Sequence, residues 1–173
     1  MRENIVLIGF MGTGKTTVGR LLAKKFNMKF IDSDDEIIRK TGMSINKIFE
    51  KYGEEYFRNL EKIVIEEISK LDGCVIATGG GVVKDKRNIL NLKKKGLIFH
   101  LNGSVSKIKE NLESEIHKRP LLNCDNYYEK IKLLLEERRE LYKRASDFDI
   151  NIDFLSPNEV AVKIMEIYNS KKL

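Results

Sequence analysis

Eight residues constrain this chain more than any others: Gly9-Phe10-Met11-Gly12-Thr13-Gly14-Lys15-Thr16 follow the pattern G-x-x-x-x-G-K-[ST]. An apolar run, Ile5-Val6-Leu7-Ile8, precedes them, and a helix-patterned segment begins around Lys15. The glycines let successive backbone N–H groups turn inward around a phosphate, and the following helix adds its positive N-terminal end. In such a loop Lys15 reaches the β- and γ-phosphates and the Thr16 hydroxyl faces a magnesium ion. A glycine-rich turn that binds nothing is the competing reading. The strand before and the helix after it count against that.

With 173 residues the chain suffices for one substantial core and is short for two. Its formal charge of +6 admits nucleic acid, anionic metabolites or a lysine-rich exterior. Lys24, Lys25, Lys93, Lys94, Lys95, Lys171 and Lys172 are scattered and not interleaved with aromatic residues, which favours the last two. Cys74 and Cys124 stand far apart without a C-x-x-C or a histidine pair, so a reduced, cytoplasmic setting is expected and a zinc site is not. Arg2 and the apolar run after it superficially resemble a signal peptide. Glu3 interrupts that pattern, and no segment approaches the ~20 apolar residues of a membrane span.

Five short runs read as strands: Asn4–Phe10, Lys29–Asp34, Cys74–Thr78, Gly96–Asn102 and Phe148–Asp153. Most are dense in Ile, Val, Leu and Phe without strict alternation, as strands covered on both faces are. Lys15–Phe26, Asp85–Lys95, Ser104–Leu112, Asn126–Arg144 and Pro157–Asn169 read as helices between and after them. That alternation predicts an α/β sandwich with a mostly parallel sheet, its ligands gathered at the carboxyl ends of the strands. The stretch from Asp35 to Leu71 breaks the rhythm with two or three helical patterns, and reads as an inserted helical subdomain. Residues 113–125, polar and containing Pro120, read as a lid between two helices.

Several groups at strand ends carry polar chemistry. Asp32 and Asp34 share one face if the second strand runs through Asp34, one carboxylate positioning magnesium and the other orienting a substrate hydroxyl. Equally, these residues cap a helix that starts near Asp35. Gly79-Gly80-Gly81 allow backbone to approach a ligand, or form a flexible turn. Arg119, beside Lys118 in the lid, either swings over the γ-phosphate as an arginine finger supplied in cis or is a solvated surface charge. Arg58 and Arg138, each judged alone, read as exposed helix residues. His100 reads as structural and His117 as exposed.

Taken in order, the phosphate loop, Asp32-Ser33-Asp34, Phe57-Arg58, Gly79-Gly80-Gly81, Arg119-Pro120-Leu121-Leu122 and Arg138-x-x-x-Tyr142 closely resemble the shikimate kinases nearly end to end. The resemblance implies a three-layer P-loop kinase fold with a five-stranded parallel sheet, the helical insertion at about 35–71 gripping shikimate. It implies ATP as co-substrate and Mg2+ as cofactor, with transfer of the γ-phosphoryl group to the 3-hydroxyl of shikimate. On that pattern Gly12, Thr13, Gly14, Lys15, Thr16 and Thr17 hold the nucleotide. Lys15 and Arg119 stabilise the transferring group, and Thr16 and Asp32 serve the metal. Asp34 holds the ring hydroxyls and is the base, Arg58 and Arg138 grip the carboxylate, Gly80 and Gly81 supply backbone donors, and Phe49 and Phe57 wall the ring.

Two stretches depart from the pattern. Many relatives carry a nucleotide-holding arginine seven residues before the lid arginine, where this chain has Leu112. The segment after the fifth strand is Phe154-Leu155-Ser156-Pro157 in place of an Arg or Gln offered to adenine, so base recognition is expected from backbone and from Lys107 or Lys109. The resemblance implies no nucleic-acid or membrane partner and a monomer. Another small-molecule kinase, acting on gluconate or a nucleoside monophosphate, and a non-kinase P-loop module that binds nucleic acid and hydrolyses nucleotide slowly are the alternatives.

Overall fold

A computed structural model describes residues 3–113 and 126–171. Five parallel strands, β1 (Asn4–Ile8), β2 (Lys29–Asp32), β3 (Cys74–Ala77), β4 (Gly96–Asn102) and β5 (Phe148–Asn151), form one sheet in the order β2-β3-β1-β4-β5. The helices are α1 (Lys15–Phe26), α2 (Ser33–Thr41), α3 (Ile45–Ile68), α4 (Lys86–Lys93), α5 (Val105–Leu112), α6 (Tyr127–Ala145) and α7 (Pro157–Ser170). A single 3-10 turn, Val82–Lys84, precedes α4.

Both faces of the sheet are covered, which is why the strands do not alternate. Val6, Ile8, Ile76 and Ile98 pack toward residues of α2, α3, α4 and α6, including Ile37, Val64, Leu92 and Tyr142. Ile5, Leu7, Val75, Phe99 and Leu101 pack on the other side with Val18 and Leu22 of α1 and Ile164 and Tyr168 of α7. A third cluster, Phe10, Ile108, Leu112, Ile131 and Leu134, ties α5 and α6 to the phosphate loop. The expected three-layer P-loop kinase architecture is the one observed, with helices on both sides of a five-stranded parallel sheet.

Details at the strand ends differ from the sequence reading. β2 stops at Asp32, whose Oδ1 accepts from the Asp34 backbone N–H and so caps α2. Asp34 therefore projects from the first turn of a helix, and period-two strand geometry does not describe it. Nor are β1 and β2 neighbours, since β3 lies between them. The region 35–71 is two helices, the second broken at Gly53, whose φ of 80° and ψ of 174° are non-helical. Glycine tolerates that conformation at little cost, so the bend falls there. No helix among the described residues is long and apolar enough to cross a membrane.

Candidate active site

The phosphate loop leaves β1 and enters α1 through Gly14, which takes a left-handed conformation with φ 83°. Lys15 is buried, and its Nζ donates to the carbonyls of Gly9 and Phe10, each at 2.8 Å, bending the side chain over its own loop. Thr13 turns inward and donates its hydroxyl to Phe10 O at 2.8 Å, so its side chain shapes the loop. The Thr16 hydroxyl donates to Asp32 Oδ2 at 2.8 Å. Gly12, Gly14, Lys15, Thr16, Thr17 and Asp32 all line a cleft of about 530 Å³.

A smaller pocket adjoins it, sharing Met11, Asp34, Gly79 and Gly80 with the cleft. Ile45, Phe49, Phe57, Arg58 and Glu61 of α3, Gly81, and Arg138 of α6 complete its lining. Gly80 joins the two spaces: a Cβ there would stand 3.2 Å from the Met11 backbone nitrogen. The Arg58 guanidinium lies over Gly81, where a Cβ would come within 2.3 Å of Nη1, so any side chain at 81 would displace the arginine.

Burial corrects the isolated reading of both arginines. Arg138 is only 1% exposed. Its Nη1 donates to Gly80 O at 3.3 Å, and its Nε and Nη2 have no hydrogen-bond partner among the described residues. A guanidinium buried with one edge unpaired is costly, and Nε with Nη2 is a fork that matches a carboxylate. Arg58 contacts Glu61 through Nη1 at 3.0 Å and Glu54 through Nη2 at 3.1 Å.

Glu61 is the site residue that the sequence reading missed. It is 1% exposed, and both it and Asp34 close on Gly79, at 3.1 and 2.8 Å from where a Cβ would be. The signal was available: Phe57, Val64 and Ile68 form a buried stripe on α3, and Glu61 occupies the intervening turn. Only a paired charge survives there. Burial pushes its carboxyl up to about 7, with Arg58 opposing that and the Asp34 charge adding to it.

The unfolded glutamate titrates near 4.5, so the folded chain holds this proton more tightly. The corresponding stability is present below pH about 4.5 and is lost as pH rises through about 7, a span worth about 3 kcal/mol. Glu61→Gln removes the titration. Urea unfolding at pH 4.5 and pH 8 should show the variant gaining about 3 kcal/mol on the parent between the two. A difference that stays constant with pH would exclude Glu61 as the titrating group.

At the α5 end of the cleft the helix register decides which side chain faces it. Leu112 is buried in the third cluster, its Cγ 2.7 Å from where a Gly12 Cβ would be. Asn111, one residue earlier, faces the cleft with Pro157 and donates Nδ2 to Gly12 O at 2.8 Å. Lys107 pairs with Glu110, and Lys109 lies over the Tyr128 ring, so both lysines are engaged on the helix surface. Arg119, with Lys118 and His117, lies outside the described residues, as does the lid segment from 114 to 125.

Comparison with known proteins identifies the family. The family profile described as shikimate kinase matches residues 11–169. The shikimate kinase of Thermodesulfovibrio yellowstonii is 50% identical over 166 residues, 96% of this chain and 95% of its own. That of Caldicellulosiruptor saccharolyticus is 46% identical over 170 residues, 98% of each chain. The structure of shikimate kinase from Acinetobacter baumannii in complex with shikimate superposes with a TM-score of 0.95 at 39% identity, covering all of this chain and 96% of the other. By sequence and by fold, the chain belongs to the shikimate kinase family of ATP-dependent kinases.

Proposed function

We propose that the chain transfers the γ-phosphoryl group of ATP to the 3-hydroxyl of shikimate, and that the residues assembled above divide the work. The observation that carries the acceptor reading is the buried Nε–Nη2 edge of Arg138, unpaired among the described residues, in a pocket with Arg58 and Asp34. A small acceptor bearing a carboxylate and hydroxyls would pair with that edge and with Asp34, beside an Arg58 that Glu54 and Glu61 hold in place. The α2–α3 segment then serves as the acceptor grip, and 113–125 as the lid.

Backbone donors of Gly12 to Thr17 cradle the phosphates, and Lys15 leaves its carbonyl partners for the β- and γ-oxygens. Asp34 accepts the proton of the attacking hydroxyl. The oxygen of that hydroxyl bonds to the γ-phosphorus as the bridge to the β-phosphate breaks, and ADP leaves with that electron pair. Arg119 takes the remaining charge on the transferring group, as the family resemblance implies. Thr16 and Asp32 fit magnesium: they are two oxygen donors in contact at the cleft wall, and such an ion draws its other ligands from phosphates and water. When bound, it neutralises charge on the β- and γ-phosphate oxygens. The base lies between Asn111 and Pro157. The enzyme works as a cytoplasmic monomer.

A panel assay tests the reading. ADP release in the presence of ATP and Mg2+ is expected to rise by orders of magnitude with shikimate, and not with gluconate or a nucleoside monophosphate. Stimulation by an acceptor without a carboxylate would overturn it.

A further inference from the structure

Tyr142 lies one helical turn beyond Arg138 on α6, and its phenol oxygen donates to Gly80 O at 2.5 Å. The ring is fully buried in the core beneath α6. Arg138 Nη1 donates to the same carbonyl, so one peptide oxygen collects two donors from one helix. Fixing that oxygen fixes the plane of the Gly80–Gly81 peptide, and with it the direction in which the Gly81 N–H points. It also sets the angle at which Arg138 presents its unpaired edge. Burial pushes the phenol up to about 12, so Tyr142 remains a donor across the working range.

The ring itself is held from behind. His100 of β4 stacks on it with centroids 4.8 Å apart and planes 13° from parallel. His100 Nδ1 in turn meets Asp149 Oδ1 of β5 at 2.5 Å. Burial lowers the His100 pKa against the opposing pull of Asp149, leaving a neutral imidazole that offers Nδ1–H to the carboxylate near pH 7. His100, Tyr142 and Asp149 line a groove of about 540 Å³ between α6 and the β5 edge, which shares no lining residue with the donor cleft or the acceptor pocket. The phenol hydroxyl thus reaches the carbonyl of Gly80, which lines the site, and the ring face is braced from outside it.

We propose that Tyr142 is a positioning residue for the acceptor, acting through the Gly80 peptide and Arg138, with His100 as the brace that holds its ring. The inference rests on the acceptor reading given above. Tyr142→Phe keeps the ring and the stack but leaves Gly80 O with one donor fewer. A buried acceptor that loses a partner weakens the arrangement it held by about 5- to 30-fold when another donor remains. That loss belongs to the acceptor, because the phosphate loop contacts Gly80 through its other side.

The test is equilibrium titration with shikimate together with steady-state kinetics, on parent and Tyr142→Phe. The expected result is a shikimate Kd and KM raised about 5- to 30-fold, with kcat and the KM for ATP within about twofold of the parent. An unchanged shikimate Kd, or equal losses in ATP KM and kcat, overturns the inference, the second outcome being that of a merely structural residue. Shikimate binding absent from the parent overturns the acceptor reading and this inference with it. Should Tyr142→Phe not fold, His100→Ala removes the brace and leaves the hydroxyl. It is then expected to raise the shikimate Kd about 2- to 10-fold with ATP KM unmoved, and no change would overturn the proposal.

Discussion

Asp34→Asn is expected to lower kcat by about 10²–10⁴ while ATP still binds. The substitution preserves shape, and the cap on α2 is untouched because Asp32 accepts from the backbone N–H of residue 34 and not from its side chain. What disappears is the negative charge and basic oxygen at the border of the donor cleft and acceptor pocket, where Asp34 lines both. Shikimate affinity should fall far less than turnover, since the asparagine side chain retains a hydrogen-bonding oxygen. Single-turnover measurement at saturating shikimate isolates the chemical step. A rate within about threefold of the parent, with an unaltered pH profile, would remove Asp34 from proton transfer.

Arg138→Ala is expected to act on binding. Truncating one partner of a buried, hydrogen-bonded charge pair costs about 2–5 kcal/mol, or roughly 30- to 5,000-fold in shikimate Kd. Arg138→Lys should recover only part of this, because an ammonium cannot present the Nε–Nη2 fork. Tyr142 still holds Gly80 O in both variants, so ATP binding should be nearly unaffected. Isothermal titration with shikimate reads both. Equal shikimate affinity in alanine variant and parent would exclude Arg138 from the carboxylate site.

The fold was legible because its signals are local: apolar runs of four to seven residues, and a glycine-lysine-threonine loop whose neighbours along the chain are its neighbours in space. The acceptor site was less so. Arg58 and Arg138 sit on helices far apart in sequence, and although Leu134 and Tyr142 put Arg138 on the buried face of α6, nothing local to either arginine says that the two share a pocket. Only the ordered series of motifs brought them together. Glu61 was hidden by its type, since a glutamate on a long charged helix reads as solvated until the stripe around it is traced. Asp34 was placed on a strand because the extended pattern runs on to it, whereas capping by Asp32 ends that strand two residues sooner. Leu112 and Asn111 differ by one residue, which on a helix is about 100° of rotation and separates core from cleft.

Gly80 lines both the donor space and the acceptor space, and its hydrogen bonds to Arg138 and Tyr142 are made through its own main chain. On one side its Cα faces the backbone of Gly9 and Met11, and on the other its carbonyl receives Arg138 and Tyr142. At this point the border of the two spaces is accordingly main chain and not side chain. Drift in the surrounding side chains can retune which nucleotide or acceptor is held without moving that stretch of backbone, whereas a single methyl group at position 80 would press on the Met11 nitrogen.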